Sequence, residues 1–172
     1  MRISYWGLFL ACFTLLASPV FSQGNNPSTT TTKKNKDLEK AEEAFKTLKY
    51  LVAIEYYKEA FSDAKGRESK SEILFKLGEC YRLTSQWVEA EKNYQKAVKL
   101  GYKDPIAMLH QADMLKAQGE YEEALEVYQE YKKSNPTDPA GAQGIESTKE
   151  ASEWENTPNL YQVSNMKDIN SR

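Results

Sequence analysis

One eight-residue pattern occurs three times in this sequence: AIEYYKEA at residues 53–60, AEKNYQKA at residues 90–97 and ALEVYQEY at residues 124–131. The copies start 37 and 34 residues apart, and each begins with an alanine. An aromatic residue stands three positions before that alanine in every copy, as Tyr50, Trp87 and Tyr121. Self-similarity at such a period indicates a repeat architecture rather than one globular core.

A second set of landmarks lies upstream of each copy at a matching distance. Small residues among them, such as Gly78, suit places where two helices approach closely. From about residue 37 to residue 154, apolar residues recur at spacings of three and four, and no alternating stretch predicts a sheet. We therefore predict an all-α chain in which each repeat is a pair of helices. The landmarks are Ala41 and Ala44, then Leu77, Gly78 and Tyr81, then Gln111, Ala112 and Leu115.

These positions resemble the tetratricopeptide repeat (TPR), a 34-residue pair of antiparallel helices. The resemblance implies an alpha-solenoid of three helix-turn-helix repeats, closed by a C-terminal capping helix in which Ile145 and Trp154 pack. Aspartate followed by proline predicts helix starts at residues 104–105 and 138–139. The predicted TPR domain covers residues 36–156, with repeats at 34–67, 71–104 and 105–138 and the capping helix at 139–154.

The N-terminus has the composition of a secretory signal peptide at residues 1–22. Arg2 supplies a positive charge, residues 8–17 form an apolar core, and we predict cleavage before Gln23. Two alternatives stay open, an uncleaved membrane anchor and acylation of Cys12 as in a lipoprotein. Residues 23–35 contain no hydrophobic residue, so they are predicted to form a flexible, threonine-rich spacer.

The net charge and the cysteine content argue against a nucleic-acid-binding protein and against a fold stabilised by disulfides. The chain has 172 residues, 23 Lys+Arg and 25 Asp+Glu, and its net charge of -2 gives no basic footprint for nucleic acid. After cleavage Cys80 would be the only cysteine, so the fold would depend on packing rather than on an intramolecular disulfide. A lone cysteine on the apolar side of a helix is typical of a small core residue.

Residues 157–172 do not fit the capping helix. The stretch 160–163 has strand-like composition without a partner strand, so we interpret this tail as the start of a following domain. Together with the leader, spacer and repeats, the segment TPNLYQVSN at 157–165 resembles the start of OmpA-family envelope proteins. In that family such repeats precede a WD40-like (PD40) beta-propeller and a peptidoglycan-binding domain, and some members are associated with type IX secretion. The resemblance implies an exported, periplasmic protein associated with the outer membrane.

The sequence favours neither catalysis nor metal binding. His110, the only histidine, is expected at an outward-facing helix position without other residues at metal-ligand spacing, so we interpret it as a surface residue. Glycine-rich phosphate loops and nucleophile motifs are absent from the sequence. We therefore predict that the protein is not an enzyme, with no catalytic, cofactor-binding or metal-binding residues.

In tetratricopeptide repeats the first helix of each pair lines the concave surface, so the resemblance implies a partner-binding groove there. Apolar residues mixed with both charge signs suit a peptide or helix laid in such a groove. The alternative is that Phe75, Leu83 and Leu109 cover the core or contact a following domain. The predicted groove residues are Leu38, Glu42, Phe45 and Lys46 in the first repeat, Phe75, Glu79, Arg82 and Leu83 in the second, and Ile106, Leu109, Asp113 and Lys116 in the third.

We expect the chain to act as a non-catalytic protein–protein interaction scaffold of the bacterial cell envelope, within an assembly at the outer membrane or peptidoglycan. Its partner would be a protein or peptide segment in the groove, and the membrane would be contacted only through anchoring. One alternative is a lipid-anchored or leader-anchored outer-membrane assembly or secretion factor. Another, from a different class, is an auxiliary subunit of an envelope enzyme.

Overall fold

The computed structural model describes residues 28–157 of the chain. The predicted signal peptide, spacer residues 23–27 and the tail from residue 158 onward lie outside the described residues. Between residues 28 and 157 the chain is helical and contains no strand, which confirms the predicted fold class. The helices of this range are α1 (Ser28–Lys46), α2 (Tyr50–Asp63), α3 (Arg67–Leu83), α4 (Trp87–Lys99), α5 (Ile106–Ala117), α6 (Tyr121–Ser134) and α7 (Pro139–Asn156).

Successive helices pack into a one-dimensional array. The hairpins α1–α2, α3–α4 and α5–α6 follow one another, and α7 packs on α6 with a smaller contact to α5. Each helix therefore buries its apolar face mainly against its neighbours in sequence, as in other repeat proteins. None of the described helices is both long and apolar enough to cross a membrane.

The turn inside each hairpin contains one residue with a left-handed backbone at an equivalent position. These residues are Leu48 with φ 59°, Ser85 with φ 58° and Gly119 with φ 82°. The left-handed conformation ends the first helix and lets the next amide bond back to a carbonyl of the last turn. This closing hydrogen bond runs from Lys49 N to Ala44 O at 2.8 Å, from Gln86 N to Tyr81 O at 2.9 Å, and from Glu120 N to Leu115 O at 3.0 Å.

The core consists largely of small residues packed against tyrosine rings. A Cβ added to Gly78 would lie 2.6 Å from Cε1 of Tyr94, so glycine is what allows α3 to approach this ring. Cys80 is fully buried, as predicted for a small core residue, and burial raises the pKa of its thiol to about 12. Alanine and tyrosine positions with 0% exposure recur in the second helix of each hairpin: Ala53, Tyr57, Ala90, Tyr94, Ala124 and Tyr128.

The two predicted aspartate-proline helix starts are helix starts in the structure. Oδ1 of Asp138 accepts a hydrogen bond from the amide of Ala140 at 2.9 Å, with Pro139 at the first position of α7. Oδ1 of Asp104 accepts from the amide of Ile106 at 3.0 Å, and α5 begins at Ile106, one residue later than expected. The side-chain acceptor satisfies an amide that the first turn of a helix leaves unpaired.

Two expectations about the ends of the array need correction. Helix α1 begins at Ser28, so residues 28–35, which we assigned to the flexible spacer, are helical. No glycine or proline lies between residue 28 and the packed Asp37, and threonine opposes helix formation only weakly. At the other end, Trp154 is 75% exposed rather than packed. Trp154 lies in the last turn of α7. This 18-residue helix is longer than the 14-residue α6 against which α7 packs.

Candidate functional site

The twelve predicted groove residues all belong to α1, α3 and α5, and the surface that they form is here called the groove face. Lys46 and Leu83 are exposed, and the other ten are partly buried. Their role in binding stays a prediction, but the structure shows which of them a partner could reach. They are Leu38, Glu42, Phe45 and Lys46 on α1, Phe75, Glu79, Arg82 and Leu83 on α3, and Ile106, Leu109, Asp113 and Lys116 on α5.

Several apolar members of this set also stabilise the fold. Leu38, Phe45 and Phe75 pack against the larger apolar cluster, and Leu109 packs against the smaller cluster around Tyr128. This is the packing role that the sequence left as an alternative for Phe75 and Leu109. Leu83 is different, because 41% of its surface is exposed.

Each hairpin contains a buried tyrosine whose hydroxyl reaches a carboxylate on the groove face. The tyrosine lies on the second helix and the carboxylate on the first, so each pair fixes both the helix contact and the direction of the acid. Burial comes first, and the hydrogen-bonded carboxylate second, in raising the pKa of all three tyrosines, so each hydroxyl stays a donor. The pairs are Tyr57 with Oε1 of Glu42 at 2.8 Å, Tyr94 with Oε1 of Glu79 at 2.5 Å, and Tyr128 with Oδ1 of Asp113.

Glu79 occupies the centre of a polar cluster on the groove face. It accepts hydrogen bonds from the Tyr94 hydroxyl at 2.5 Å and from Nη2 of Arg82 at 2.7 Å, and Nδ1 of His110 lies 2.8 Å from Oε1. Burial alone would raise the pKa of Glu79, but the hydrogen bonds from His110, Arg82 and Tyr94 outweigh burial and lower that pKa to about 2. The carboxylate is therefore ionised at any physiological pH and joins α3, α4 and α5.

His110 is not the surface residue that we expected from the sequence. Only 21% of its side chain is exposed, and its ring lies parallel to Phe75 with the ring centres 6.4 Å apart. Tyr94 meets the same ring edge-on at 5.5 Å. The helical period of α5 indicates on which side of α5 His110 lies. It could not show that side chains of α3 and α4 cover that side.

The groove face continues at Tyr102, in the loop between α4 and α5. The Tyr102 ring stacks on Phe75 with the centres 4.5 Å apart and an angle of 13° between the planes. Phe75 thus contacts both the Tyr102 ring and the His110 ring, and these contacts link the second hairpin to the start of the third.

Two lysines of the groove face are directed at aromatic rings. Nζ of Lys76 lies 5.3 Å from the centre of the Phe45 ring, which connects α3 to α1. Nζ of Lys116 lies 5.7 Å from the centre of the Tyr128 ring and donates to Oγ of Ser147 at 3.0 Å, which connects α5 to α7. Both ammonium groups therefore have interactions within the fold.

A cavity of about 270 Å³ opens on the groove face between α1 and α3. It is lined by Leu38 and Glu42 of α1, by Glu72, Ile73 and Lys76 of α3, and by Tyr102. The cavity is therefore a recess with both apolar and acidic walls.

Sequence reasoning missed several residues that shape this surface, although a signal for some of them was present. Tyr57, Tyr94 and Tyr128 are separated by the same 37 and 34 residues as the repeats, so the period already marked them as equivalent. The roles of Glu72 and Tyr102 had no such signal, because they depend on how far α1 lies from α3. Within residues 36–157, no three potential metal-ligating side chains lie close enough together to hold an ion.

Comparison with known proteins gives the same type of repeat. The family model described as "Tetratricopeptide repeat" matches residues 85–139, about a third of the chain. No relative was found among curated protein sequences.

Solved structures of TPR domains resemble the chain at low sequence identity. The second TPR domain of human RPAP3, solved in complex with the HSP70 peptide SGPTIEEVD, is 18% identical with a TM-score of 0.60, covering 70% of this chain and 98% of that one. The Sgt2 TPR domain from Aspergillus fumigatus is 21% identical with a TM-score of 0.60, covering 81% and 95%. The first TPR of Spaghetti (RPAP3), bound to the HSP90 peptide SRMEEVD, is 22% identical with a TM-score of 0.60, covering 70% and 93%.

The helical hairpins, their equivalent turns and the small residues beneath the tyrosine rings agree with both comparisons. At these identities the solved structures establish the architecture and not the ligand. The described part of the chain is a TPR-like alpha-solenoid, and residues 85–139 carry the sequence pattern of the tetratricopeptide repeat.

Proposed function

We propose that this chain is a non-catalytic interaction scaffold that binds a segment of a partner protein along the groove face. The observation that carries the proposal is the recess of about 270 Å³ between α1 and α3, on the face where all three hairpins present a fixed carboxylate. Two structures of the same architecture, those of RPAP3 and Spaghetti, contain a bound peptide, which supports a similar use of this fold here.

The rigidity of the groove face favours binding over a merely structural role. The tyrosine hydroxyls hold Glu42 and Glu79 at 2.8 and 2.5 Å, and the ring of Phe75 lies nearly parallel to the rings of Tyr102 and His110. Side chains already held in place lose little further conformational entropy when a partner arrives. A segment laid across the hairpins would meet the exposed Leu83 and Lys46 beside these fixed groups.

A double substitution at two exposed groove residues tests this proposal without touching the core. In the full chain, Lys46→Ala with Leu83→Lys should abolish capture of partner proteins from extracts of the producing cells, because it removes one long side chain and places a charge at an apolar contact. The matched control is Lys96→Ala with Val88→Lys, two exposed residues of α4 outside the groove face. Equal capture by the folded groove variant and the wild-type chain would refute the assignment of the groove face as the binding surface. Loss of capture in the control would refute it as well.

We propose further that the protein is exported and works in an outer-membrane-associated assembly of the bacterial envelope. The signal-peptide composition of residues 1–22 and the resemblance of the order of segments to OmpA-family proteins support this location. Mass spectrometry of the mature N-terminus in the producing cells tests it. Gln23 as first residue agrees with cleavage and export, whereas a chain that keeps Met1, or carries acyl groups on Cys12, shows anchoring instead.

A further inference from the structure

Two carboxylates that line the recess between α1 and α3 form no salt bridge within the described residues. They belong to Glu42 and Glu72, and neither carboxylate has a cationic side chain within 4 Å among the described residues. Lys76 also lines the recess, but its ammonium is directed over the Phe45 ring at 5.3 Å. The nearby Lys103 is paired with Glu68 at 2.5 Å.

A hydrogen bond from a core residue holds the carboxylate of Glu42 in position. The fully buried Tyr57 donates to Oε1 of Glu42 at 2.8 Å, which leaves the other oxygen to a ligand. A partner that binds Glu42 therefore does not have to immobilise a free side chain.

The remaining walls suit the aliphatic and cationic parts of a long basic side chain. Leu38 and Ile73 provide apolar surface for a methylene stem, and the Tyr102 ring, held flat against Phe75 at 4.5 Å, can face a cation. Burial, followed by the carboxylates of Asp104, Glu72 and Glu79, raises the pKa of the Tyr102 hydroxyl, so this hydroxyl stays protonated and uncharged.

Acidic surface continues beyond the recess along α1. A second cavity of about 340 Å³ shares Leu38 and Glu42 with the first, and Glu39, Glu43 and Lys46 also line it. Four glutamates therefore line these two adjoining cavities, three from α1 and Glu72 from α3.

We infer that the recess between α1 and α3 takes an arginine or lysine side chain of the partner segment, with its cation between Glu42 and Glu72 and its stem against Leu38, Ile73 and Tyr102. This inference rests on the proposed function and specifies the chemistry of its partner. The occupant is a basic protein segment, because charge complementarity at two carboxylates favours a cation and opposes an acidic side chain.

Selection from a random dodecapeptide library displayed on phage, with the full chain as bait, tests the inference. The enriched peptides should share one arginine or lysine, and replacing that residue by norleucine should weaken binding at least about tenfold, the effect expected for a lost charge-assisted contact. The double variant Glu42→Gln, Glu72→Gln should weaken the parent peptide to a similar extent. Glutamine at residue 42 can still accept the Tyr57 hydrogen bond, so the substitution removes charge and keeps the packing.

The control variant Glu59→Gln, Glu130→Gln removes two exposed carboxylates from α2 and α6 and should leave affinity unchanged. Enriched peptides without a required basic residue, or with equal affinity for the Glu42→Gln, Glu72→Gln variant, would overturn the basic-residue inference while peptide binding itself stands. A library that yields no peptide bound on the groove face would overturn the inference together with the proposed function.

Discussion

At the scale of single residues, three tyrosines link the stability of this fold to its groove face: Tyr57, Tyr94 and Tyr128. Each ring is fully buried, and each hydroxyl ends at a carboxylate of the groove face. Buried tyrosines normally find a hydrogen-bond partner, and here the partner is one of the acids that a ligand would meet. A change to the tyrosine should therefore affect both stability and the position of the acid.

Removing one of these hydroxyls should have a measurable cost. Tyr128→Phe is expected to lower the free energy of unfolding by about 1–2 kcal/mol, since Asp113 loses a charge-assisted hydrogen bond. Tyr121→Phe is the control, because Tyr121 lies on the same helix and its hydroxyl has no hydrogen bond within the described residues. Urea unfolding measures both, and equal stabilities of the two variants would contradict this role of the hydroxyl.

Leu48 is under backbone strain, with a φ of 59° and 71% of its surface exposed. The equivalent turn residue of the third hairpin is Gly119, which adopts this conformation without a Cβ clash. Leu48→Gly should therefore raise the free energy of unfolding by about 0.5–1 kcal/mol, allowing for the greater freedom of glycine in the unfolded chain.

The matching substitution Leu51→Gly should have the opposite sign. Leu51 is also exposed, at 65%, but it lies in the regular helix α2, where glycine is unfavourable. Thermal unfolding of both variants gives the comparison, and a loss of stability in Leu48→Gly would show that the leucine makes a contact worth more than the strain.

At the scale of helices, Glu79 joins three elements. The carboxylate of α3 receives hydrogen bonds from Tyr94 of α4 and contacts His110 of α5, next to Arg82 of its own helix. The pKa of Glu79 falls from its ordinary 4.5 to about 2 in the folded chain. Between pH 4.5 and pH 2 the unfolded chain binds a proton at Glu79 more readily than the folded chain does. The contribution of Glu79 to the free energy of unfolding is therefore complete above pH 4.5 and decreases as the pH falls toward 2.

The variant Glu79→Gln should remove this part of the pH dependence. The wild-type chain should lose up to about 3 kcal/mol of unfolding free energy through this one group as pH falls from 5 toward 2. The difference between wild type and variant should therefore shrink with decreasing pH. Chemical unfolding at pH 5, 4 and 3 measures it, and a constant difference would mean that the hydrogen bonds do not shift the carboxylate.

The helices themselves could be predicted from the sequence because their determinants are local. The aspartate-proline starts at residues 104 and 138 and the apolar spacing act within one or two turns, and the repeat period marks equivalent positions in successive hairpins. The environment of His110 could not be predicted, because it depends on side chains of α3 and α4 that lie 31 and 16 residues away in sequence. The same is true of Tyr102, whose place at the recess depends on the spacing of two hairpins.

At the scale of the whole molecule, contacts between sequence neighbours make stability local. The outward side of α1 shows where the described array ends, because exposed charged residues replace buried apolar ones at the equivalent positions. Such polar outer faces are typical of terminal repeats. The replacements are Lys36 for Ile73, Lys40 for Leu77 and Glu43 for Cys80.

A disruption at one end of the array should therefore stay at that end. Gly144 packs beneath the Tyr128 ring, and a Cβ there would overlap the ring. Gly144→Val should lower the hydrogen-exchange protection of α7 while α1 to α4 keep theirs. Ala142→Val, at an exposed position of the same helix, should change little. Uniform loss of protection across all helices in Gly144→Val would show instead that the array unfolds as one unit.

The groove itself is tested most directly by site-specific photo-crosslinking in the producing cells. A benzoylphenylalanine replaces either Leu83, which is exposed on the groove face, or Lys96, which is exposed on α4. We predict a covalent product with a partner protein from position 83 and none from position 96. Crosslinking from position 96 alone, or equally from both positions, would contradict the assignment of the groove face as the binding surface.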